Sequence, residues 1–490
     1  MERESNQKRM VSAIIGMFVI ALLAAVMFFY GSREKDYVSQ IDKKYRPVGV
    51  SVALIEADGS VTFENFGYAN KKEKTKVTED TKFKMASISK TVTSYAVMQL
   101  VDKGTLDLDT PVNNYLTSWK IPDSKEYDVD KVTLRTLMSH TAGLNKSDEV
   151  GYKEPLPSVA EAMGMRDIHL IREPGTEFEY SEFVAHGVCQ LVIEDVTGMK
   201  FEDYMKQNVF EPLGMYDTSY DNKGSNFAIP YAGYGKEVSI TPIVMNGGGG
   251  VTTTAKDLSK FAKELIRYKN EGNGEMFEIQ KNTQSAAGEY ALGIIPRKLS
   301  NGKTVYEHNG TLTGWNAQLV ISPEDNTGMV VLANSDQAYY MTYELMEKWG
   351  EHVVGAPIED PLISGINQAF CRISIILGVL VFVYIIYFSI QLKKNSLERV
   401  YNKKWKVRLG ISIVGVGLYL FFFYTEVPFL WMYGQKNNYL YTFFPSGRIW
   451  LQLEMILFLV VWVIKGHYHR NKTKETAKNK VKPLKKRNIL

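Results

Sequence analysis

The sequence predicts an α/β domain that is attached to a membrane. One transmembrane helix precedes the domain and three follow it. Two observations lead to this fold class. Within residues 46–355, β-rich runs lie at both ends and a mostly helical stretch lies between them. That order is expected when C-terminal strands complete a sheet that N-terminal strands begin. Four apolar runs flank this region, and a membrane-spanning helix needs roughly 20 apolar residues.

The first apolar run, residues 11–30, follows a short N-terminus, 1–10, and precedes a juxtamembrane linker, 31–45. An uncleaved anchor is favoured over a signal peptide, because no clear small-x-small site precedes the polar sequence GSREKDY and the run exceeds a usual signal core. The C-terminal segments are a linker (356–369), a span (370–390), a loop (391–408), a span (409–427), a connection (428–448), a span (449–464) and a tail (465–490). Glu454 lies inside the last span, where a glutamate is either functional or a packing partner.

Lysine and arginine predict the orientation of these spans. The 391–408 loop carries a net charge of +6 and the 465–490 tail +9, so the rest of a chain whose net charge is +4 carries about −11. Positive segments stay in the cytoplasm, which places the N-terminus, this loop and the tail inside and the 46–355 domain outside. The basic tail suits lipid headgroups, and the acidic remainder argues against a nucleic-acid partner.

The elements of the outer domain follow from turn residues and periodicity. Asp58-Gly59 predicts a hairpin between two alternating β-rich runs. The predicted helices cover 91–101, parts of 131–144 and 183–215, 255–266 and 339–354. The predicted C-terminal strands cover 289–296, 303–310, 315–322 and 328–335, with a turn at 323–326. The glycine run 247–250 is interpreted as a flexible wall.

Ser87 and Lys90 form the first candidate for chemistry. A serine three residues before a lysine also occurs at 5–8, 32–35 and 300–303, so the spacing alone is weak evidence. Only Ser87 lies between a strand, a loop and a buried helix, where free N–H groups stabilise negative charge. Lys90 is one turn along the same helical face and can act as a base. The alternative is that Ser87 is only a helix cap.

Two further segments could complete a site around Ser87. The loop sequence PGTEFEYSE contains Tyr180, and the strand sequence YEHNGTLTG contains His308 and Gly310. Each has a structural alternative, since Tyr180 can be a half-buried tyrosine and His308 a satisfied strand histidine. No Gly-x-Ser-x-Gly elbow is present in the sequence, which disfavours an α/β-hydrolase. The histidines lack metal-ligand spacing, so neither a metal nor another cofactor is expected.

Taken together, several segments resemble the serine β-lactamase and penicillin-binding-protein superfamily, in its class C and esterase/D-aminopeptidase-like branch. They are FKMASISKTVTS, GTLDLDTPVNNYL, TLRTLMSHTAGL, PGTEFEYSE, VTGMKFEDYMKQNVFEPLGM, GGGGVTTTAKDLSKF and EHNGTLTGW. The resemblance covers residues 46–355. It implies a β-lactamase/transpeptidase-like α/β fold, in which an antiparallel sheet with flanking helices adjoins a mostly helical subdomain.

The resemblance also implies roles for individual residues. Ser87 would be the nucleophile and Lys90 its activating partner. Tyr180 would be a second base that protonates the leaving group. His308 and Gly310 stand where the family has lysine-threonine-glycine or histidine-x-glycine. The backbone N–H groups of Ser87 and Thr311 would form the oxyanion hole.

Two departures from the family pattern argue against an efficient β-lactamase. Glu182 replaces the asparagine of tyrosine-x-asparagine, and His308, a weaker cation near neutral pH, replaces a lysine that would bind a β-lactam carboxylate. An ionised glutamate only accepts hydrogen bonds, so Glu182 suits a cationic substrate group. Alternatively, Glu182 is an acidic first-turn residue of the following helix.

These features predict a membrane-anchored extracytoplasmic serine hydrolase that forms an acyl-enzyme on amide or ester bonds next to a D-amino acid. Its layout is similar to membrane-bound prodrug-activating D-amino-acid peptidases, and cell-envelope relatives acting on D-alanyl esters or D-peptides are equally open. The expected partners are a small-molecule or peptide substrate and membrane lipid. The alternatives are a non-catalytic or slowly deacylating sensor or transport accessory protein, a β-lactamase, and a carboxylesterase.

Overall fold

A computed structural model describes residues 36–146, 152–222, 224–240, 242–272, 274–393, 397–399, 404–433, 438–444 and 447–470. The predicted first span, 11–30, lies outside the described residues, as does most of the basic tail. The chain divides into two compact units. Residues 36–364 and 433–443 form the sheet unit, and 365–432 and the residues from 444 onward form the helical unit.

Strands and helices alternate in groups along the chain. The strands are β1 (Gly49–Ile55), β2 (Val61–Asn70), β3 (Thr75–Lys76), β4 (Phe83–Lys84), β5 (Tyr231–Ala232), β6 (Lys236–Glu237), β7 (Thr252–Thr253), β8 (Ile295–Lys298), β9 (Thr304–Leu312), β10 (Trp315–Ser322), β11 (Thr327–Ala333), β12 (Leu397–Arg399) and β13 (Tyr468–Arg470). The α-helices are α1 (Tyr37–Tyr45), α2 (Ile88–Asp102), α3 (Leu134–Met138), α4 (Val159–Gly164), α5 (Val184–Thr197), α6 (Phe201–Met205), α7 (Asn246–Gly249), α8 (Ala255–Glu271), α9 (Tyr339–Trp349), α10 (Pro361–Lys393), α11 (Lys404–Tyr424), α12 (Val427–Tyr433) and α13 (Arg448–Lys465).

Short helical turns supplement these elements. The 3₁₀ turns are Val112–Asn114, Val129–Lys131, Gly274–Phe277, Asp336–Ala338 and Leu440–Phe443. Two π-helical turns, Lys206–Phe210 and Gly350–Val354, directly continue α6 and α9.

The sheet unit is built on a seven-stranded antiparallel sheet in the order β3-β2-β1-β11-β10-β9-β8. β1 pairs with β11, with Val52 opposite Val331. The first strand of the domain therefore lies next to its last strand, as the sequence predicts. This fold also confirms the expected antiparallel sheet.

Alternating side chains on the central strands pack into two cores, since successive residues of a strand point to opposite faces. Leu319 and Ile321 of β10 belong to the larger core, which α2, α5 and α8 cover. Val320, between them, packs on the other face against residues of α1 and α9. The sheet is thereby buried on both sides, and α2 is held firmly against it.

Most predicted elements are confirmed. The β1–β2 turn contains Gly59 at φ +82°, and α2, α8 and α9 lie where periodicity places them. The strand predicted over 289–296 is wrong for its first six residues, since β8 begins at Ile295. The glycine run is also misinterpreted as a flexible wall, because 246–249 form the buried helix α7.

In the helical unit, two described helices, α10 and α11, are long and apolar enough to cross a membrane. α10 covers the predicted span 370–390, and α11 covers residues 409–424 of the predicted span 409–427. The third C-terminal run forms the helix α13, which is not one of the two. Two of the four expected spans are therefore seen among the described residues, the first lies outside those residues, and the span at 449–464 stays a prediction. Glu454 of α13 accepts a hydrogen bond of 2.9 Å from Ser374 of α10, so it has a packing partner in this unit.

Candidate active site

Ser87 lies at the junction between β4 and α2. It is the N-cap residue of α2 and is partly exposed, whereas the helix residues that follow are buried. Ala86 before it has φ +49°, a left-handed conformation that is uncommon for a residue other than glycine. This sharp turn presents the Ser87 hydroxyl outside the helix. Strain of this kind occurs often at functional sites.

Lys90 is fully buried, and its ammonium nitrogen faces Ser87. Its Nζ lies 3.1 Å from Ser87 Oγ and donates to the carbonyl oxygens of Glu182, at 2.6 Å, and Gly248, at 2.8 Å. Burial lowers the pKa of Lys90 from its usual value of 10.5 to about 7, against a small opposing effect of the Glu182 carboxylate. A substantial fraction of Lys90 is therefore neutral near pH 7.

The hydrogen bonds of neutral Lys90 explain how it can act as a base. A neutral amine has two N–H groups and one lone pair. The carbonyls of Glu182 and Gly248 accept the two N–H groups, which leaves the lone pair for the third neighbour, Ser87 Oγ. The same two carbonyls stabilise the ammonium that forms when Lys90 takes the serine proton.

The glycine run brings these two carbonyls together. A Cβ on Gly248 would lie 2.9 Å from Phe183 Cα and 3.1 Å from the Glu182 oxygen, closer than ordinary contacts. Only a glycine lets α7 approach the backbone just before α5 this closely. The function of the run is thus close packing around Lys90.

Tyr180 is the third residue beside the Ser87 hydroxyl. Its hydroxyl interacts with the Ser87 side chain, and its ring centroid is 4.9 Å from Lys90 Nζ. Burial raises the pKa of Tyr180 well above its usual value, and the interaction with Ser87 opposes this rise. Tyr180 is therefore a neutral phenol at neutral pH and can donate a proton.

His140 holds the loop on both sides of Tyr180, a role that sequence reasoning missed. Its carbonyl accepts from the Glu179 N–H at 2.8 Å, and its Nδ1 accepts from the Ser181 N–H at 3.1 Å. The His140 ring also lies 4.4 Å from the Tyr180 ring. Since burial lowers the pKa of His140, its ring stays neutral and its Nδ1 keeps this acceptor. The motif TLMSHTAGL was its only signal in the sequence.

His308 has a different position from the one expected of a weak substrate-binding cation. It is 1 % exposed, its Nδ1 donates to the Asn309 carbonyl at 2.6 Å, and its Nε2 accepts from the Tyr290 hydroxyl at 2.7 Å. Burial and the nearby Lys90 charge lower the pKa of His308 to about 3. His308 is thus a neutral, hydrogen-bonded ring that supports β9 from within.

The far half of β9 lies against the nucleophile turn. A Cβ on Gly310 would lie 2.1 Å from the Met85 oxygen and 3.1 Å from the Ser87 nitrogen. The pairing of β9 with β8 ends at Glu307 opposite Ile295, whereas its pairing with β10 continues to Leu312 opposite Trp315. Thr311, the predicted second oxyanion residue, follows Gly310 directly and is partly exposed.

Glu182 contributes its backbone to the site and exposes its side chain. It lies one residue before Phe183, the N-cap of α5, and therefore outside the first turn of that helix. The structure brings Ser87, Lys90, Tyr180 and Glu182 together, with Gly310 beside them. An activated hydroxyl, a buried base and a proton donor form the set that acyl transfer requires.

Comparison with known proteins agrees with this geometry. Residues 35–343 match the family model described as Beta-lactamase. The chain belongs to the beta-lactamase family. It is similar to Protein flp of Staphylococcus aureus (strain N315), with 24% identity over 466 residues that cover 88% of this chain and 89% of that protein. It is also similar to the putative penicillin-binding protein PbpX of Bacillus subtilis (strain 168), with 27% identity over 61% of this chain and 74% of that protein.

A solved structure shows the same fold. The penicillin binding protein from Bacillus halodurans superposes with a TM-score of 0.56 at 22% identity, over 64% of this chain and 99% of that one. The β-lactamase/transpeptidase-like fold inferred from the motifs is therefore confirmed. The two backbone carbonyls that bind Lys90 could not be predicted from the sequence, because every residue type has a backbone carbonyl.

Proposed function

We propose that this beta-lactamase family member is a serine hydrolase that cleaves amide or ester bonds through an acyl-enzyme on Ser87. The observation that supports it is the contact of Ser87 Oγ with the buried Lys90, whose other two neighbours are carbonyl acceptors. Lys90 takes the hydroxyl proton while the Ser87 oxygen bonds to the substrate carbonyl carbon. The backbone N–H groups of Ser87 and Thr311 are proposed to stabilise the resulting oxyanion.

Tyr180 is proposed to complete the first half of the reaction. Its raised pKa keeps the phenol proton available for the departing amine or alkoxide, and the proton that Lys90 took from Ser87 then restores the phenol. Water then attacks the acyl-enzyme and releases Ser87. No charge develops on His308 in this scheme, in agreement with its buried, neutral state.

Labelling tests this proposal directly. A fluorophosphonate probe should label the detergent-solubilised chain, and Ser87→Ala should abolish the labelling with an unchanged melting temperature. Ser89→Ala is the matched control, because Ser89 is a fully buried neighbour whose hydroxyl accepts from the Val251 N–H. Labelling of the Ser87→Ala variant at the parent rate would remove Ser87 from the mechanism.

The substrate is proposed to be an acylated D-amino acid, D-peptide or D-alanyl ester, with a cationic group near Glu182. Glu182 supports this choice, because its carboxylate is exposed while its own backbone carbonyl binds Lys90. A screen of acyl-D-amino acid, D-alanyl ester and β-lactam libraries with matched L-isomers tests it. Turnover of short esters without stereochemical preference would identify a carboxylesterase, and a trapped acyl-enzyme without turnover would identify a sensor.

The domain is proposed to work outside the cytoplasmic membrane. The basic segments 391–408 and 465–490 support this orientation, and the two apolar helices α10 and α11 support attachment to a membrane. Protease added to intact cells should remove the 46–355 domain and leave an epitope on the tail protected. Digestion of the tail under those conditions would reverse the orientation.

A further inference from the structure

The catalytic domain holds a segment that the sequence places far from it. Residues 438–443 belong to the connection predicted between two C-terminal spans, yet they form part of the sheet unit. Asn438, Leu440, Tyr441 and Thr442 are each between 4 and 6 % exposed. Burial of this extent in a short connection shows that the segment is docked on the domain.

The docking contacts converge on two loops. Asn438 Nδ2 donates to Thr313 Oγ1 at 3.0 Å, in the turn between β9 and β10. The Tyr441 ring stacks on Tyr234 at 4.3 Å with an interplanar angle of 15°, next to β5. A Cβ on Gly233 would lie 2.7 Å from the Tyr439 ring, so the tyrosine lies directly on that backbone.

A buried carboxylate ties these two loops together beneath the segment. Asp336 Oδ1 accepts from the Gly314 N–H at 2.6 Å, and Oδ2 accepts from the Gly233 N–H at 3.1 Å. On the other side, the Phe443 carbonyl accepts from the Tyr340 hydroxyl at 2.8 Å. The segment therefore lies on the two loops that Asp336 joins, and hydrogen bonds or ring contacts fix it at both ends.

The β9–β10 turn links this segment to the reacting atoms. Thr313 is three residues after Gly310, which lies against the Ser87 turn, and two residues after Thr311. Thr311, Leu312 and Thr313 are all partly exposed at the half of β9 that β8 does not pair. This partly exposed stretch therefore follows directly after the residue of β9 that lies against the Ser87 turn.

We propose that residues 438–443 form a wall of the substrate cleft, in which Asn438 is a positioning residue that holds the Thr313 turn at the substrate-binding end of β9. The proposal rests on the proposed function for the identity of the cleft. The docking itself does not depend on catalysis, so the two can be tested separately. Through this wall, a part of the chain between the membrane segments selects which substrates the hydrolase accepts.

Cross-linking tests the docking without any substrate. In the full chain carrying Cys371→Ser, we pair Thr313→Cys with Asn438→Cys and treat membranes with a short bismaleimide. The peptides carrying residues 313 and 438 should appear joined by mass spectrometry. Asp80→Cys with Lys256→Cys, an exposed pair whose side chains are 3.2 Å apart, controls for reagent access. Cross-linking of the control pair alone would overturn the proposal.

Kinetics test the positioning role. Asn438→Ala and Thr313→Val should each raise KM about two- to tenfold with little change in kcat, the range that one neutral hydrogen bond supports. Their effects should not add in the double variant, because both remove the same contact. Thr313→Ser keeps the hydroxyl and should restore the parent KM.

A second asparagine supplies the matched control. Asn301 Nδ2 donates to the Val354 carbonyl at 3.0 Å near the opposite end of β9. Asn301→Ala should leave KM at the parent value. Equal KM changes in Asn301→Ala and Asn438→Ala, or additive effects of the Asn438 and Thr313 changes, would show that the segment only stabilises the fold. If the fluorophosphonate probe does not label Ser87 in the parent protein, that result would instead contradict the proposed function.

Discussion

Two buried lysines on neighbouring elements have similarly lowered pKa values but different hydrogen-bond partners. Lys84 of β4 and Lys90 of α2 are 2 % and 0 % exposed, and burial lowers the pKa of each to about 7. Lys84 Nζ donates to the Gly250 carbonyl at 2.6 Å, and Lys90 Nζ donates to that of Gly248. Only Lys90 has a serine hydroxyl among its recorded hydrogen-bond partners. A lowered pKa by itself therefore does not identify a catalytic base.

The largest difference between the two lysines should appear on their removal. Lys90→Met should lower the acylation rate of Ser87 by about 10³-fold, within the 10²–10⁴-fold range of general-base catalysis. Lys84→Met should leave the acylation rate of Ser87, per molecule of folded protein, near that of the parent. Lys84 contacts no reacting group in the proposed mechanism. Stopped-flow labelling, normalised to folded protein by melting curves, measures both. Equal rate losses would mean that Lys90 acts through packing alone.

Removal of the Tyr180 hydroxyl tests whether the surroundings of Lys90, unlike those of Lys84, include a proton donor. Tyr180→Phe should lower kcat/KM about 10²-fold for amides, whose leaving group needs a proton. Esters with a phenolate leaving group should be affected less. Tyr290→Phe is the control, since the Tyr290 hydroxyl bonds to His308. Equal losses for both leaving groups would argue against proton donation by Tyr180.

The pH profile separates the two lysines by charge. Since the pKa of Lys90 is about 7 and the neutral amine is the base, kcat/KM should fall about tenfold per pH unit below pH 7 and reach a plateau above it. The parent and Lys84→Met should share the same midpoint. A midpoint that moves in Lys84→Met would assign the titration to Lys84 and break the comparison.

The smallest expected effect concerns Glu182, whose carboxylate acts to raise the pKa of Lys90. Glu182→Gln should lower kcat/KM for cationic substrates about two- to fivefold, because an exposed charge pair is screened by solvent. Neutral substrates should react at the parent rate. An equal decrease for both substrate classes would exclude substrate recognition by Glu182.

Sequence reasoning found the candidate residues Ser87, Lys90 and Tyr180 because their signals are local. A helix start after a strand, a lysine one turn along and a tyrosine before the next buried helix can each be recognised within a short window. The resemblance then joined them in one site, and the structure places Ser87, Lys90 and Tyr180 together. The antiparallel sheet was implied by the resemblance, and the Asp58-Gly59 hairpin signal predicted the pairing of β1 with β2.

The wrong interpretations involve contacts between distant segments. The glycine run suggested mobility, but Gly248 lacks a side chain because α7 approaches the residues before α5. His308 suggested a cation at the substrate, but burial beside Tyr290 and Lys90 keeps it neutral. Neither outcome could be predicted without the neighbours that surround each residue.

The sequence by itself determined the α/β class, the candidate pair Ser87 and Lys90 and the apolar segments, because these depend on periodicity and short spacings. Only the tertiary structure decided which carbonyls hold Lys90 and where residues 438–443 dock. Those properties depend on backbone groups and on residues more than 100 positions apart, such as Thr313 and Asn438. Proximity of this kind arises from packing of the whole domain, and no local pattern encodes it.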